Sequence, residues 1–253
     1  QAIMPKPSFL MYDIMVRSAS AKPLYVPLKN LALDLEEMAA RINNQTRMVF
    51  LTNPNNPTGS IIKKSDFEDF LSRMPENVVV VVDEAYIEFV RDLDCAQGID
   101  YAQAERPVVV LRTFSKAFGL AGRRVGYGIM PEPIAMLLHR VRQPFNVNTP
   151  AQVAAAAAQD DNDFLEQSLN VVHEGLDFIS QRLDSLRIRY FPTQANFMLI
   201  DVEKSADDIY NRLLHKGVIV RSMTSYGLPQ YIRVSVGLPE ENERFVDALQ
   251  DVL

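Results

Sequence analysis

Val78-Val79-Val80-Val81-Val82 sets five β-branched apolar residues side by side. Branched side chains of this kind favour extended backbone and pack well on a pleated surface. Successive side chains of a strand point to opposite faces, so a run without polar alternation needs cover on both. Val108-Val109-Val110-Leu111 repeats the pattern. Two such strands imply a mostly parallel sheet sandwiched by helices. The segments around them agree: Leu24 to Pro27 reads as extended, Leu35 to Ile42 as helical, Met48 to Leu51 as a strand and Lys64 to Met74 as helical. This alternation is the α/β class.

The rhythm changes between Pro144 and Pro150. Ala151 to Ala158 is alanine-rich and helical, and Phe164 to Leu186 carries apolar residues at helical spacing, among them Leu165, Leu169, Val172, Leu176, Ile179 and Leu183. Phe197 to Ile200, Val218 to Arg221 and Tyr231 to Val236 then read as strands, with helices at Ala206 to His215 and Glu240 to Val252. The expected division is a large α/β domain over 1–148, followed by a linking helix and a small α+β domain over 149–253. The 253 residues, 47% hydrophobic, suffice for both cores. The chain begins Gln1-Ala2-Ile3-Met4-Pro5 and runs at once into Pro7-Ser8-Phe9 with no capped first element. That start suggests a preceding N-terminal segment.

Charge narrows the partners. The formal net charge is −6 and the 26 basic residues are scattered, which argues against nucleic acid. Any bound anion must then be held by a local arginine cluster. Cys95 is the single cysteine, so no internal disulfide forms, and His139, His173 and His215 are too dispersed to suggest a metal site. No apolar stretch approaches the roughly 18 residues of a membrane span, and no signal-peptide pattern is visible. A cytoplasmic location is expected.

The chemistry-bearing residues follow the strands, where ligands of open α/β sheets collect. Asn53-Pro54-Asn55-Asn56-Pro57-Thr58-Gly59 follows the Met48 strand, Asp83-Glu84-Ala85-Tyr86 follows the valine run, and Thr113-Phe114-Ser115-Lys116 follows Val108 to Leu111. Lys116 lies in a loop of small and hydroxyl residues. A partly desolvated lysine near other cations has its amine freed at neutral pH and forms Schiff bases with carbonyl compounds. Arg124, eight residues on, offers a fixed charge and planar donors suited to a phosphate. The pair points to pyridoxal phosphate. Taken singly, each feature has a plainer explanation: Asn-Pro and Pro-Thr-Gly form turns, a strand-end aspartate caps helices, and a lone lysine is usually solvated. The ordered set of Asn56, Asp83, Tyr86, Lys116 and Arg124 is what outweighs them.

Three motifs, Thr52 to Gly59, Val82-Asp83-Glu84-Ala85-Tyr86-Ile87-Glu88-Phe89, and Arg112-Thr113-Phe114-Ser115-Lys116-Ala117-Phe118-Gly119-Leu120-Ala121-Gly122, carry a family resemblance. The chain resembles the fold-type I pyridoxal-phosphate aminotransferases, and within them the histidinol-phosphate aminotransferases, from Pro7 to Gly237. The resemblance implies pyridoxal 5'-phosphate held covalently by Lys116, which also moves a proton during the reaction. It implies Asp83 against the pyridine nitrogen, Asn56 and Tyr86 on the phenolic oxygen, Phe9 on the ring face, and Thr113, Ser115 and Arg124 around the phosphate. Arg233, with Arg221 on the preceding strand, would grip an anionic end of the substrate, although a surface salt bridge is an equal reading for Arg221. Asn146 and Asn148 resemble a family segment near the site or form a plain loop, and Arg123 reads as solvent-facing.

The implied reaction, a step of histidine biosynthesis, moves an amino group between histidinol phosphate and 2-oxoglutarate, giving glutamate, in a homodimer. Aromatic amino-acid transamination, amino-acid-phosphate decarboxylation and a non-catalytic fragment without cofactor are the alternatives. The family also carries an earlier glycine-containing segment that helps cradle the phosphate, which these residues do not include.

Overall fold

The computed structural model describes residues 1–102 and 106–253. Six strands build the first sheet: β1 (Ala2–Lys6), β2 (Pro23–Pro27), β3 (Met48–Thr52), β4 (Val79–Asp83), β5 (Val108–Thr113) and β6 (Gly126–Ile129), in the order β2-β1-β3-β4-β5-β6. Strands β1 to β5 run parallel and β6 lies antiparallel to β5. Chain order turns back between β1 and β3, the kind of switch point where α/β sheets open a crevice.

The valine runs are covered on both faces. Val80, Val82, Val108 and Val110 pack with Phe67 and Phe70 of helix α3 (Lys64–Ser72) and Met38 of α2 (Leu35–Ala40). Val81 and Val109 face the other way, toward Tyr12 and Val16 of α1 (Met11–Ser18) and Ile134 of α4 (Glu132–Val141). Each fully buried valine contributes about 1.5–3 kcal/mol relative to exposure, so the valines hold β4 and β5 in place from both sides. The strand ends are fixed separately. Glu84, with no exposed surface, accepts the Gly98 N–H at 2.5 Å and Arg112 Nε at 2.8 Å, tying the segment after β4 to β5.

The second sheet is antiparallel: β7 (Tyr190–Phe191), β8 (Phe197–Asp201), β9 (Arg221–Ser222) and β10 (Tyr231–Ser235), in the order β7-β8-β10-β9. Helix α5 (Thr149–Asp160) leads to it, capped by Asn148 Oδ1, which accepts the Ala151 N–H at 2.9 Å. Helices α6 (Asn162–Leu186), α7 (Ala206–His215) and α8 (Pro239–Val252) close its core with Leu176, Ile179, Leu183, Ile209, Leu213 and Leu249. Tyr86, Phe89 and Ala117 enter this same core from the loops after β4 and β5. The chemistry-bearing loops therefore join the two sheets. Gly59 adds a third junction: its φ is +76°, a Cβ there would meet Thr193 Oγ1 at 2.0 Å, and its carbonyl accepts the Gln194 N–H at 2.9 Å.

Two expectations need correction. The chain does not enter Pro7-Ser8-Phe9 without a prior element, because β1 lies inside the sheet between β2 and β3. The strand expected over Val218 to Arg221 is instead Arg221–Ser222. The Val218 N–H bonds the Leu213 carbonyl at 3.0 Å, so it closes the end of α7 rather than extending a ladder. No helix among the described residues is long and apolar enough to cross a membrane.

Candidate active site

The carboxyl ends of β3, β4 and β5 open on one cavity of about 400 Å³, whose lining includes Phe9, Asn56, Asp83, Tyr86, Thr113, Ser115, Lys116 and Arg124. Every residue that the sequence motifs suggest for the cofactor is in that lining. A larger cavity of about 1090 Å³ beside α4 and α5, bordered by Tyr127, His139 and Phe145, holds neither Lys116 nor Asp83. Chemistry, not size, selects the site.

Local structure explains why one asparagine of three faces it. Asn53 is buried, with its Nδ2 donating to the Ala96 carbonyl at 2.7 Å and its Oδ1 accepting the Ile62 N–H at 2.9 Å. Asn55 donates to Thr58 Oγ1 at 2.9 Å while its carbonyl accepts the Gly59 N–H at 2.7 Å. The turn reading thus suits Asn53 and Asn55. Asn56 is left to meet Arg233, whose Nη1 donates to Asn56 Oδ1 at 2.6 Å.

Asp83 ends β4. Its Oδ1 accepts the Ala85 N–H at 3.1 Å and its Oδ2 accepts the Tyr12 hydroxyl at 2.5 Å. Burial pushes the carboxyl above its ordinary value, while Tyr12, the Ala85 N–H and Lys116 pull it back. Tyr12 belongs to none of the three sequence motifs. Its sole sequence signal is its place three residues after Phe9, and a tyrosine on an apolar helix face reads as core.

Lys116 Nζ sits 5.2 Å from the centroid of the Tyr86 ring. Burial lowers the lysine first, then the charges of Arg233 and Arg124, with Asp83 opposing. Lys116 stays exposed on the open cavity, so reactants can reach an amine whose protonated form is disfavoured. Ser115 N–H bonds Thr113 Oγ1 at 3.1 Å, and Arg124 Nη1 lies 3.5 Å from Ser115 Oγ and 2.7 Å from the Ala121 carbonyl. Two hydroxyls and a guanidinium gathered this closely have the donor chemistry an anion needs. Arg124 adopts φ 55° and ψ 53°, a left-handed conformation uncommon for arginine.

Arg233 reaches the cavity edge from β10, its guanidinium carbon 4.7 Å from the centroid of the Phe197 ring, which meets Tyr86 edge-on at 5.1 Å. Arg221 pairs directly opposite it across the β10–β9 ladder and lies over Tyr226 at 5.5 Å. Among the described residues no carboxylate lies within 4 Å of Arg221, so the surface salt bridge is not formed. Asn148 caps α5 and Asn146 Oδ1 accepts Arg142 Nη1 at 3.0 Å, which makes both loop residues here. Arg123 is exposed.

The profile of the family described as aminotransferase class I and II matches residues 1–249. The chain belongs to that family. Among its relatives, histidinol-phosphate aminotransferase 2 of Carboxydothermus hydrogenoformans is 46% identical, with the match covering 100% of this chain and 70% of the relative. The histidinol-phosphate aminotransferase of Desulfotalea psychrophila is 45% identical over 100% of this chain and 68% of its own length. This aminotransferase chain thus spans about 70% of the first relative's length. Solved structures agree in fold. The histidinol-phosphate aminotransferase of Clostridium acetobutylicum superposes with a TM-score of 0.92 at 27% identity, covering 99% of this chain and 77% of that one. That of Sinorhizobium meliloti, solved in complex with pyridoxal 5'-phosphate, gives 0.87 at 26% identity, with 99% and 70% covered.

Proposed function

We propose that this aminotransferase uses pyridoxal 5'-phosphate to move an amino group between histidinol phosphate and 2-oxoglutarate, a step of histidine biosynthesis. The observation that carries the reading is Lys116 in one cavity with a half-buried carboxylate, Asp83, and the hydroxyls and guanidinium of Thr113, Ser115 and Arg124. This donor set suits a phosphorylated pyridine aldehyde: an amine for the aldehyde, a carboxylate for a protonated ring nitrogen, hydroxyls and a guanidinium for the phosphate. The names of the 46% and 45% identical relatives support histidinol phosphate as one substrate.

When bound, the cofactor supplies an electron sink for the charge left on the substrate's amino-bearing carbon. The chain's own residues do the rest. Lys116 Nζ would hold the cofactor's aldehyde carbon and would act as the base that takes the proton from the substrate's amino-bearing carbon. Asp83 would sit against the ring nitrogen and favour its protonated form. Asn56 and Tyr86 would hold the phenolic oxygen, and Phe9 would lie against the ring. Arg233, backed by Phe197, orients an anionic end of each substrate, with Arg221 beside it.

Residues 1–148 form the cofactor-binding domain in this reading and 149–253 the smaller one, in a cytoplasmic homodimer. Exposed Met136, Leu137, Leu138 and Val141 on α4, with Phe145 beyond it, supply apolar surface for a second copy. Borohydride reduction of the cofactor-loaded protein followed by peptide mapping tests the chemistry: a pyridoxyl label belongs on Lys116, and an unlabelled, colourless protein would overturn the proposal. Glutamate formation from 2-oxoglutarate in the presence of histidinol phosphate then tests the substrate, whereas release of carbon dioxide without an oxo-acid acceptor would mark a decarboxylase.

A further inference from the structure

Tyr12 lies outside the three motifs, yet it makes the shortest contact to Asp83. Its hydroxyl donates to Asp83 Oδ2 at 2.5 Å and lies 3.3 Å from Thr52 Oγ1. Thr52 Oγ1 is 3.0 Å from Ser8 Oγ, which donates in turn to Asn55 Oδ1 at 3.1 Å. This chain of hydroxyls links α1, the segment after β1 and the end of β3 to the end of β4. Tyr12 is 4% exposed, and its ring stacks on Phe50 with centroids 4.8 Å apart and meets Phe9 edge-on at 5.5 Å. The ring is therefore held by packing and the hydroxyl by hydrogen bonds, two independent constraints.

Burial raises the Tyr12 phenol well above its ordinary value, and the Asp83 charge adds to the rise. The phenol thus remains protonated, and a donor, throughout the range in which an aminotransferase works. The groups facing Asp83 are Tyr12 from α1, Tyr86 and the Ala85 N–H from its own loop, and Lys116 from the loop after β5, with Thr52 of β3 its neighbour across the ladder. A carboxylate offers about four lone-pair positions, and Tyr12 and Ala85 occupy one each on different oxygens. The rest remain for the cavity that Asp83 lines.

We propose that Tyr12 is a positioning residue of the active site, its hydroxyl clamping Asp83 Oδ2 so that the carboxylate stays charged and turned toward the pyridine nitrogen of a bound cofactor. Outer partners of this kind orient the groups that touch a reactive centre. What Asp83 meets in the cavity rests on the proposed function, whereas the clamp itself does not.

The experiment titrates Asp83 by carboxyl-carbon NMR in the cofactor-free chain, comparing the parent with Tyr12→Phe, which keeps the stacked ring. A hydrogen bond to a charged group corresponds to about one to two pH units, so the Asp83 midpoint rises by that amount in Y12F. Placing 3-fluorotyrosine at position 12, a stronger donor of nearly the same shape, moves it down. The fluorinated protein decides the question if Y12F does not fold. With cofactor added, Y12F binds pyridoxal 5'-phosphate about tenfold more weakly and the pH dependence of the bound chromophore shifts, whereas a purely structural tyrosine would leave that titration in place. An Asp83 midpoint unmoved in folded Y12F, or unmoved by fluorination, overturns the proposal. A parent protein that fails to bind the cofactor counts against the proposed function alone, since the cofactor-free titration judges Tyr12 by itself.

Discussion

Arg233 donates to Asn56 at 2.6 Å across 177 residues of chain, so a side chain from the second sheet rests on a loop of the first. The contact places a guanidinium already desolvated by burial, and lowered from its ordinary value for that reason, next to the predicted cofactor partner. A substrate carboxylate or phosphate would then meet a preorganised donor whose orientation is set by Phe197 behind it and Asn56 in front. Arg233→Gln is expected to raise KM for both anionic substrates by roughly 100-fold, the worth of about 2–3 kcal/mol in a charged hydrogen bond, with a smaller fall in kcat. Steady-state kinetics with histidinol phosphate and 2-oxoglutarate check it; an unchanged KM for both would remove Arg233 from the substrate site.

The same arginine acts on Lys116. Burial, Arg233 and Arg124 lower the lysine amine and Asp83 raises it, so charge removal has a defined sign at each position. Reductive methylation of the cofactor-free protein near pH 7.5, read by peptide mass spectrometry, should label Lys116 faster than a freely solvated surface lysine. Arg233→Gln should slow that labelling by raising the amine, and Asp83→Asn should speed it by lowering the amine further. Below the amine's midpoint, moving that midpoint by one pH unit changes the free-amine fraction about tenfold. Opposite responses would refute the electrostatic account.

Arg124 holds a left-handed backbone conformation that glycine adopts without a Cβ clash. Strain of about 1–2 kcal/mol at such a residue persists where the side chain is needed, and here the guanidinium lies beside Ser115. Arg124→Gly is therefore expected to leave the cofactor-free protein as stable as the parent, or more stable by up to about 1 kcal/mol, while weakening pyridoxal 5'-phosphate binding by roughly 10- to 100-fold. Thermal unfolding without cofactor and equilibrium titration with it separate the two effects. A loss of stability together with unchanged affinity would contradict both halves.

Much of this was legible because strand ends and chemistry coincide in the sequence. The valine runs show no alternation, so cover on both faces followed directly; Asp83 and Lys116 come after those runs, and Asn56 after the apolar strand Met48 to Leu51. What escaped the sequence has physical reasons. β1 contains Pro5, which cannot donate to a ladder, but its pairing with β3 involves Ala2 and Ile3 and stops short of the proline. α1 and α4 also expose Ile14, Met15, Leu137 and Val141, so their apolar residues do not all mark the buried face. Tyr12 and the Arg233–Asn56 contact depend on tertiary approach, which a linear pattern does not encode.

Glu88, in the same motif as Asp83, gives the fold a pH dependence separate from catalysis. Its Oε2 is buried without a hydrogen-bond partner among the described residues, and burial, opposed by its own backbone N–H and Arg112 and reinforced by Glu84, pushes the carboxyl up to about 7 from 4.5. Between those values the folded chain binds a proton that the unfolded chain releases, so stability falls as pH rises through this window. The contribution is complete below about pH 4.5 and lost above about 7. Glu88→Gln keeps the neutral form at every pH. Relative to the parent it should gain on the order of 2–3 kcal/mol on going from pH 5 to pH 8, because the parent loses about 1.4 kcal/mol for each pH unit crossed between 5 and 7. Urea unfolding at the two pH values measures this directly. A difference between the two proteins that is the same at pH 5 and pH 8 would mean that Glu88 ionises in the folded state as it does in the unfolded chain.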